Sequence, residues 1–303
     1  MKTFKSNGKL LLTAEYVVLD GAKALALPSR YGQSLSVSKN DKTKIHWQSY
    51  NEKNEIWFED EIETMNGELK SKQLNHPVSE RLIQILNAAK ELNSDFLNNS
   101  FNYKIVTRQD FNRLWGLGTS STLINNIAQW AKVDAYELLA LTFGGSGYDI
   151  ACAQHNCPIT YKLDINRQPV VHSVPFEPSF MSHLYFVYLE QKQNSRDGIK
   201  AYRSRNKVDV STIEKINNIT ESILGSATLE EFNELIEYHE YIIANLLAKK
   251  PIKQELFNDF EGTIKSLGAW GGDFVLVASK TNPTTYFKSK GFPTVIPYKE
   301  MVL

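Results

Sequence analysis

The hexapeptide GLGTSS, residues 116–121, stands directly before a run whose apolar residues recur at helical spacing, residues 123–131. The first backbone N–H groups of a helix have no partner inside the helix, and the helix dipole is positive at that end. A glycine-rich loop that leads into a helix therefore predicts a phosphate site, because glycine lets the backbone approach an anion closely. The alternative is a glycine turn before a Ser/Thr N-cap, which needs no ligand. A Walker loop is excluded, since no Gly-Lys-Ser/Thr follows the glycines.

Length and composition describe a globular chain. With 303 residues, 42% of them hydrophobic and 22% charged, the chain fits two packed domains or one large one. The 34 basic and 34 acidic residues cancel, which argues against a broad nucleic-acid surface. The two cysteines are too few for a disulfide framework or a zinc site. No secretory signal or membrane-length apolar run is present, so we expect a cytoplasmic protein.

Hydrophobic periodicity predicts an α+β architecture in two parts. A helix is predicted over residues 78–91, and strands are predicted over 158–163 and 184–189. Strands and helices alternate irregularly, which is typical of α+β rather than α/β proteins. A polar segment after the strand at 158–163 marks the expected boundary between domains 1–168 and 169–303.

Three further segments carry candidate chemistry. Residues 144–149 combine three glycines with Asp149, whose carboxylate is placed to orient or deprotonate a hydroxyl, or else to cap the helix that follows. Residues 268–273 hold three glycines before a strand, and the alternative there is a tight αβ connection with a glycine C-cap. Lys9 precedes a strand, and Glu15 lies in an apolar run, so Glu15 needs a partner if it is buried.

The order of four motifs resembles the GHMP kinase superfamily, which includes galactokinase, homoserine kinase, mevalonate kinase and phosphomevalonate kinase. The motifs are KLLLTAEYVVLDG from Lys9, GLGTSS from Gly116, GSGYDIA from Gly145 and GAWGGDF from Gly268. Together they span most of the chain. The resemblance implies a ribosomal-protein-like N-terminal domain that binds ATP and a ferredoxin-like C-terminal domain.

The resemblance also implies roles for particular residues. Asp149 is expected to face the acceptor hydroxyl, and Lys9 is expected to neutralise phosphate or lower the pKa of that hydroxyl, so both are candidate catalytic residues. Ser120 matches the magnesium-binding serine of the family. The expected nucleotide-binding residues are Gly116, Leu117, Gly118, Thr119, Ser120 and Ser121. The expected acceptor-binding residues are Glu15, Tyr16, Ser146, Gly147, Tyr148, Gly271, Gly272 and Asp273.

Some positions depart from the family pattern. Ala14 stands where the family has glycine, and Trp270 replaces a small residue. Glu137 is one residue out of register with the second magnesium ligand of mevalonate kinases, and GSGYDIA is closer to phosphomevalonate kinases, which lack that glutamate. The loop after the strand at 184–189 does not match the Ser-Thr loop of the family. Lys192 and Arg196 in this loop are candidates to bind an acceptor phosphate or carboxylate, and the alternative is a solvated charged loop.

The sequence therefore predicts an enzyme, a magnesium- and ATP-dependent kinase that transfers the γ-phosphoryl group to a mevalonate-pathway acceptor, phosphomevalonate or mevalonate. One alternative is an ATP-dependent enzyme similar to diphosphomevalonate decarboxylase. Another is a non-catalytic regulator that binds a nucleotide or metabolite. The expected partners are ATP and a small-molecule alcohol or phosphate acceptor, without nucleic acid or membrane, and a homodimer is left open.

Overall fold

The computed structural model describes residues 1–40, 45–65, 68–73, 75–98, 102–191, 195–204 and 208–303, with the backbone alone at residues 195 and 196. The chain is α+β, as predicted. It divides into two compact units. The first unit comprises residues 1–8, 31–113 and 117–154, and the second comprises residues 9–30, 114–116 and 155–303.

Two strands, β1 (Lys2–Leu11) and β2 (Ala24–Asn40), contribute residues to both units. The other elements of the first unit are, in chain order, β3 (Ile45–Tyr50), β4 (Ile56–Met65), β5 (Glu68–Ser71), α1 (Pro77–Leu92), β6 (Asn102–Gln109), α2 (Thr119–Ala131), α3 (Ala135–Thr142) and α4 (Tyr148–Gln154).

The sheet of the first unit runs in the order β5-β4-β3-β6-β2. All neighbouring pairs are antiparallel except β3 and β6, which are parallel. Because successive side chains of a strand point to opposite faces, each strand buries alternate residues, such as Ile45 and Trp47 of β3. These side chains form one core with the apolar faces of α1 and α2, including Ile85 and Ile127.

The second unit contains β7 (Ile159–Leu163), which pairs antiparallel with the first residues of β2 and with β8 (Pro169–Ser173). The next elements are β9 (Leu184–Tyr188), α5 (Ser195–Arg203), α6 (Val210–Gly225), α7 (Leu229–Leu247), α8 (Ile252–Leu256), β10 (Thr263–Ser266), β11 (Phe274–Ala278), α9 (Thr284–Ser289), β12 (Val295–Pro297) and α10 (Tyr298–Met301). An antiparallel sheet runs in the order β10-β11-β9-β12. Its core includes Val187, Val275, Phe257 and Phe287.

Strong local patterns predicted the elements correctly. The helix expected over 78–91 is α1, and the strand expected over 184–189 is β9. The alternative of an αβ connection at 268–273 is wrong, because Ser266 pairs with Val275 and the loop therefore joins antiparallel strands β10 and β11. Among the described residues, no helix has both the length and the apolar character that crossing a membrane requires.

Candidate active site

The N-terminus of α2 presents unpaired backbone donors. Gly118 precedes the helix with a φ of 95°, and the first intrahelical bond runs from the Thr122 N–H to the Gly118 oxygen at 3.0 Å. The N–H groups of Thr119, Ser120 and Ser121 therefore have no acceptor within the helix. The first turn contains no acidic residue, so its positive dipole is not offset by a carboxylate. A Ser/Thr N-cap is wrong here, because the N-cap is glycine.

The three hydroxyl groups of this turn have different surroundings. Ser121 is buried and donates to the Gly118 oxygen at 3.0 Å, while the Thr119 hydroxyl oxygen accepts a hydrogen bond from Gln109 at 2.8 Å. Ser120 is exposed, and its hydroxyl makes no hydrogen bond within the described residues. Its oxygen is therefore accessible to a cation or a phosphate.

This donor set fits magnesium bound together with a nucleotide. Mg²⁺ usually keeps several waters and takes few protein oxygens beside those of the phosphates. One exposed hydroxyl, that of Ser120, meets this need. No cluster of three or more His, Cys, Asp or Glu residues exists in the described ranges that would form an all-protein metal site. Glu137 is exposed in the first turn of α3.

The glycine cluster of the third motif leads directly into α4. Gly147 has a φ of 88°, and Asp149 lies in the first turn of the helix rather than before it, so the N-cap alternative is wrong. An Asp149 carboxylate oxygen accepts a hydrogen bond from the Ile150 N–H at 3.1 Å. Helices α2 and α4 pack together, with Gln154 donating to the Asn125 side chain at 3.1 Å. The first unit thus joins the second and third motifs through packed helices.

The Asp149 carboxylate also influences Tyr136, a partly buried phenol in the first turn of α3. Burial raises the pKa of Tyr136 above its ordinary value, and electrostatic interactions with Asp134, Cys152 and Asp149 raise it further.

In the second unit, the first motif forms a turn in an unusual backbone conformation. Ala14 and Tyr16 have φ values of 65° and 64°, a left-handed region that costs a residue with a Cβ about 1–2 kcal/mol. The Ala14 N–H donates to Nε2 of His239 at 2.8 Å. The Tyr16 hydroxyl donates to the Ala269 oxygen at 2.7 Å, so the first and fourth motifs are in direct contact.

Glu15 lies between Ala14 and Tyr16 in the sequence and is fully buried. Its carboxylate forms an ion pair with Lys265, and both side chains are 0% exposed. Burial raises the pKa of Glu15 to about 7, outweighing the opposite effect of the Lys265 charge. Burial raises the pKa of the neighbouring Glu240 as well, although its carboxylate accepts hydrogen bonds from the Ser266 N–H and hydroxyl at 3.0 and 2.8 Å.

His239 completes this buried cluster as a neutral imidazole. Its Nε2 accepts from the Ala14 N–H, so its proton is assigned to Nδ1. Burial, together with the Lys265 charge, holds the pKa of His239 well below its ordinary value. Nδ1 of His239 and Oε2 of Glu15 have no hydrogen-bond partner among the described residues.

The cluster contains residues that the sequence reasoning missed. Lys265 and His239 stand 250 and 225 positions away from their contacts with Glu15 and Ala14. No local pattern links residues at such separations. The one available signal was the acidic residue in an apolar run, which required a buried partner without identifying it.

The fourth motif approaches the first glycine of the hexapeptide. A Cβ added to Gly116 would lie 2.4 Å from Cγ of Asp273, so any other residue there would force the Asp273 carboxylate to move, and it would also have to adopt a φ of 68°. The Asp273 N–H donates to the Gln191 oxygen at 2.6 Å, and Lys249 donates to the Trp270 oxygen at 3.2 Å. The second unit therefore brings parts of the first, second and fourth motifs together.

The candidate residues divide between the two units. The first unit holds Leu117, Gly118, Thr119, Ser120, Ser121, Ser146, Gly147, Tyr148 and Asp149, and the second holds Lys9, Glu15, Tyr16, Gly116, Gly271, Gly272 and Asp273. Their roles toward ATP and an acceptor stay predictions. Lys192 lies outside the described residues, and only the backbone of Arg196 is described.

Comparisons with known proteins identify the fold. No protein-family model matches the sequence, and no curated protein matches it. Solved structures match over nearly the whole chain. Phosphomevalonate kinase of Streptococcus pneumoniae, in complex with phosphomevalonate and AMPPNP, is 16% identical with a TM-score of 0.69, over 96% of each chain.

Two other solved structures share this similarity. Mevalonate kinase of Methanococcus jannaschii is 14% identical with a TM-score of 0.69, over 97% of this chain and 96% of that one. A mevalonate diphosphate decarboxylase from Legionella pneumophila is 12% identical with a TM-score of 0.57, over 97% of this chain and 99% of that one. The chain therefore has the two-domain α+β fold of the GHMP kinase superfamily, as its four ordered motifs predicted.

Proposed function

We propose that this protein is a magnesium- and ATP-dependent phosphotransferase that moves the γ-phosphoryl group of ATP to a small-molecule acceptor. The observation that carries the proposal is the N-terminus of α2. Three backbone N–H groups without intrahelical acceptors, an exposed Ser120 hydroxyl and a first turn free of carboxylates suit a polyphosphate. The fold supports the same conclusion, since solved kinases share it.

In this proposal the residues act mainly by positioning and charge neutralisation. The hexapeptide at 116–121 holds the phosphates, and the Ser120 hydroxyl is the protein ligand of magnesium. Bound magnesium supplies positive charge that offsets the charge of the phosphate oxygens. Lys9 adds a second positive charge, and Asp149 accepts a hydrogen bond from the acceptor hydroxyl and orients it for attack.

We propose an acceptor of the mevalonate pathway, with phosphomevalonate ahead of mevalonate. The support is the GSGYDIA motif, together with the Gly-Gly-Asp of residues 271–273. The Glu15 carboxylate forms an ion pair with Lys265. We therefore infer that Glu15 contributes to acceptor binding indirectly, by stabilising the turn that contains Tyr16. We further propose that residues 1–168 form the ATP-binding domain and 169–303 the second domain, in a cytoplasmic protein.

Two other functions are compatible with this fold. A decarboxylase of diphosphomevalonate also consumes ATP, and release of carbon dioxide distinguishes it from a kinase. A non-catalytic regulator would bind nucleotide or metabolite without turnover. The combination of Lys9, Ser120 and Asp149 argues against the regulator, because a binder needs no carboxylate facing an acceptor hydroxyl.

The test measures magnesium-dependent ATP consumption with mevalonate, phosphomevalonate, diphosphomevalonate, homoserine and galactose, and carbon dioxide release in parallel. We expect turnover with one of the first two acceptors, its loss when magnesium is chelated, and a fall of about 100-fold to 10,000-fold in kcat for Asp149→Asn with ATP affinity retained. Asp95→Asn, which changes an exposed aspartate of the same unit, is the matched control. Nucleotide binding without turnover on any acceptor would favour the regulator instead.

A further inference from the structure

Two glutamines from neighbouring strands contact the first turns of α2. Gln33 of β2 and Gln109 of β6 are direct cross-strand partners, and their side chains are buried. Gln109 donates from Nε2 to the Thr119 hydroxyl oxygen at 2.8 Å. The Thr122 hydroxyl donates to Oε1 of Gln33 at 2.9 Å, and the Asn126 side chain donates to the Gln33 backbone oxygen at 3.0 Å. We call Gln33 and Gln109 the glutamine pair.

The two threonine hydroxyls that contact the glutamine pair have opposite roles. A hydroxyl has one hydrogen to donate and two lone pairs with which to accept. Thr122 is a donor, with three acceptors within reach of its hydroxyl: Oε1 of Gln33 at 2.9 Å and the backbone oxygens of Gly118 and Thr119 at 2.9 and 3.1 Å. Thr119 instead receives a hydrogen from Gln109, and its own hydroxyl hydrogen has no acceptor within the described residues. That hydrogen is available to an anion bound at the first turn of α2.

Stability alone does not account for Gln109. Its Oε1 is buried and has no hydrogen-bond partner among the described residues. Leaving a buried carbonyl oxygen unpaired costs free energy that an apolar side chain of the same shape would avoid. The Gln109 side chain thus lowers the stability of the fold through its unpaired oxygen, while its amide donates one hydrogen bond to Thr119 of the hexapeptide.

We propose that Gln109 is a positioning residue of the phosphate site, which holds the Thr119 hydroxyl in the orientation that donates to a phosphate oxygen of the nucleotide. Gln33 contributes one of the acceptors of the Thr122 hydroxyl, one turn further along α2. This inference rests on the proposed function, since it requires a polyphosphate at the N-terminus of α2. The inference identifies Gln109 as the side chain that leaves the Thr119 hydroxyl free to donate to a bound anion.

The test replaces Gln109 by methionine, which has a similar length and no hydrogen-bonding amide. We expect the affinity for MgATP, measured by titration calorimetry, to fall roughly threefold to tenfold, as for a weakened hydrogen bond to a charged group. Affinity for adenosine, which lacks phosphates, is expected to stay unchanged. The urea midpoint of Gln109→Met is expected to equal or exceed that of the wild type, because the unpaired oxygen is removed with the amide.

Two further variants sharpen the result. Gln129→Met changes an exposed glutamine in the last turn of α2 and is expected to leave both affinities unchanged. Thr119→Val removes the hydroxyl itself, and the double variant Gln109→Met/Thr119→Val is expected to bind MgATP no more weakly than Thr119→Val alone. That non-additivity would show that Gln109 acts through Thr119.

Several outcomes would overturn the inference. Wild-type affinity for MgATP in Gln109→Met would do so, as would equal losses for MgATP and adenosine or additive losses in the double variant. A lowered urea midpoint that accompanies a loss of all ligand affinity would reduce Gln109 to a structural role. If the wild-type protein binds MgATP no better than adenosine, the proposed function itself fails, and the two failures are thereby distinguished.

Discussion

Replacing Lys265 by methionine tests the energetics of the buried cluster in the second unit. The Lys265 ammonium pairs with Glu15 and donates to the Ser266 oxygen at 2.9 Å, and both charged side chains are 0% exposed. Methionine keeps most of the volume of the side chain but removes the charge. The variant therefore leaves the Glu15 carboxylate buried without its cation and the Ser266 oxygen without this donor.

The expected loss follows from this burial. Removing one partner of a buried ion pair costs about 3–5 kcal/mol, because the other charge is left uncompensated in a medium of low dielectric constant. The assay is urea unfolding at pH 8, followed by tryptophan fluorescence, for wild type, Lys265→Met, Glu15→Gln and the double variant. We expect the double variant to be more stable than the sum of the two single losses predicts, by about 2 kcal/mol.

A surface ion pair of the same unit provides the matched control. Lys280 lies 2.7 Å from Glu230, with side chains 74% and 63% exposed. Lys280→Met is expected to cost less than about 1 kcal/mol, since solvent screens an exposed pair. The reasoning is refuted if Lys265→Met is no more destabilising than this control, or if the losses from Lys265→Met and Glu15→Gln simply add.

Three other predictions concern Glu15, Ala14 and Gly116. Glu15 has a pKa of about 7 in the folded chain, whereas the ordinary pKa of a glutamate is 4.5. The stability of the wild type relative to Glu15→Gln should therefore fall by about 3 kcal/mol as the pH rises from 4.5 to 7 and stay level above it, and a rise over this interval in urea titrations would contradict the assignment. Ala14→Gly should raise the free energy of unfolding by up to about 1 kcal/mol, because it relieves a φ of 65°, and a measured loss would show that the Ala14 methyl group packs usefully. Gly116→Ala should lower the free energy of unfolding by about 2 kcal/mol and weaken MgATP binding, because the new Cβ meets the Asp273 side chain. Gly225→Ala is the control, since a Cβ at Gly225 would meet open space. Equal urea midpoints for the two variants would disprove the steric argument.

Local motifs predicted much of the candidate site. GLGTSS before an apolar helix indicated an anion site, and the structure has Gly118 as a left-handed N-cap with unpaired donors behind it. The same reasoning placed Asp149 directly after a glycine turn, and the structure has Asp149 there, in the first turn of α4. Both predictions concern residues within a few positions of each other, where backbone geometry and helix ends follow from the residue types present.

Contacts between distant residues were beyond such reasoning. The sequence required a partner for Glu15, but only the fold identifies Lys265 and His239, since β10 and α7 bring them to the turn of the first motif. Likewise, nothing in the sequence around Gln109 links it to Thr119, because the cross-strand register of β6 with β2 and the docking of α2 decide that contact.

The sequence by itself determined the fold type, the helix that begins after GLGTSS and the glycines that allow close backbone approach, because each depends on periodicity or on the conformational freedom of single residues. Only the tertiary structure decided that Glu15 is buried against Lys265, that Asp273 lies against Gly116 and that two glutamines contact the threonines of α2. Those features depend on side chains from separate strands and helices, and the chain brings them together only when its cores pack.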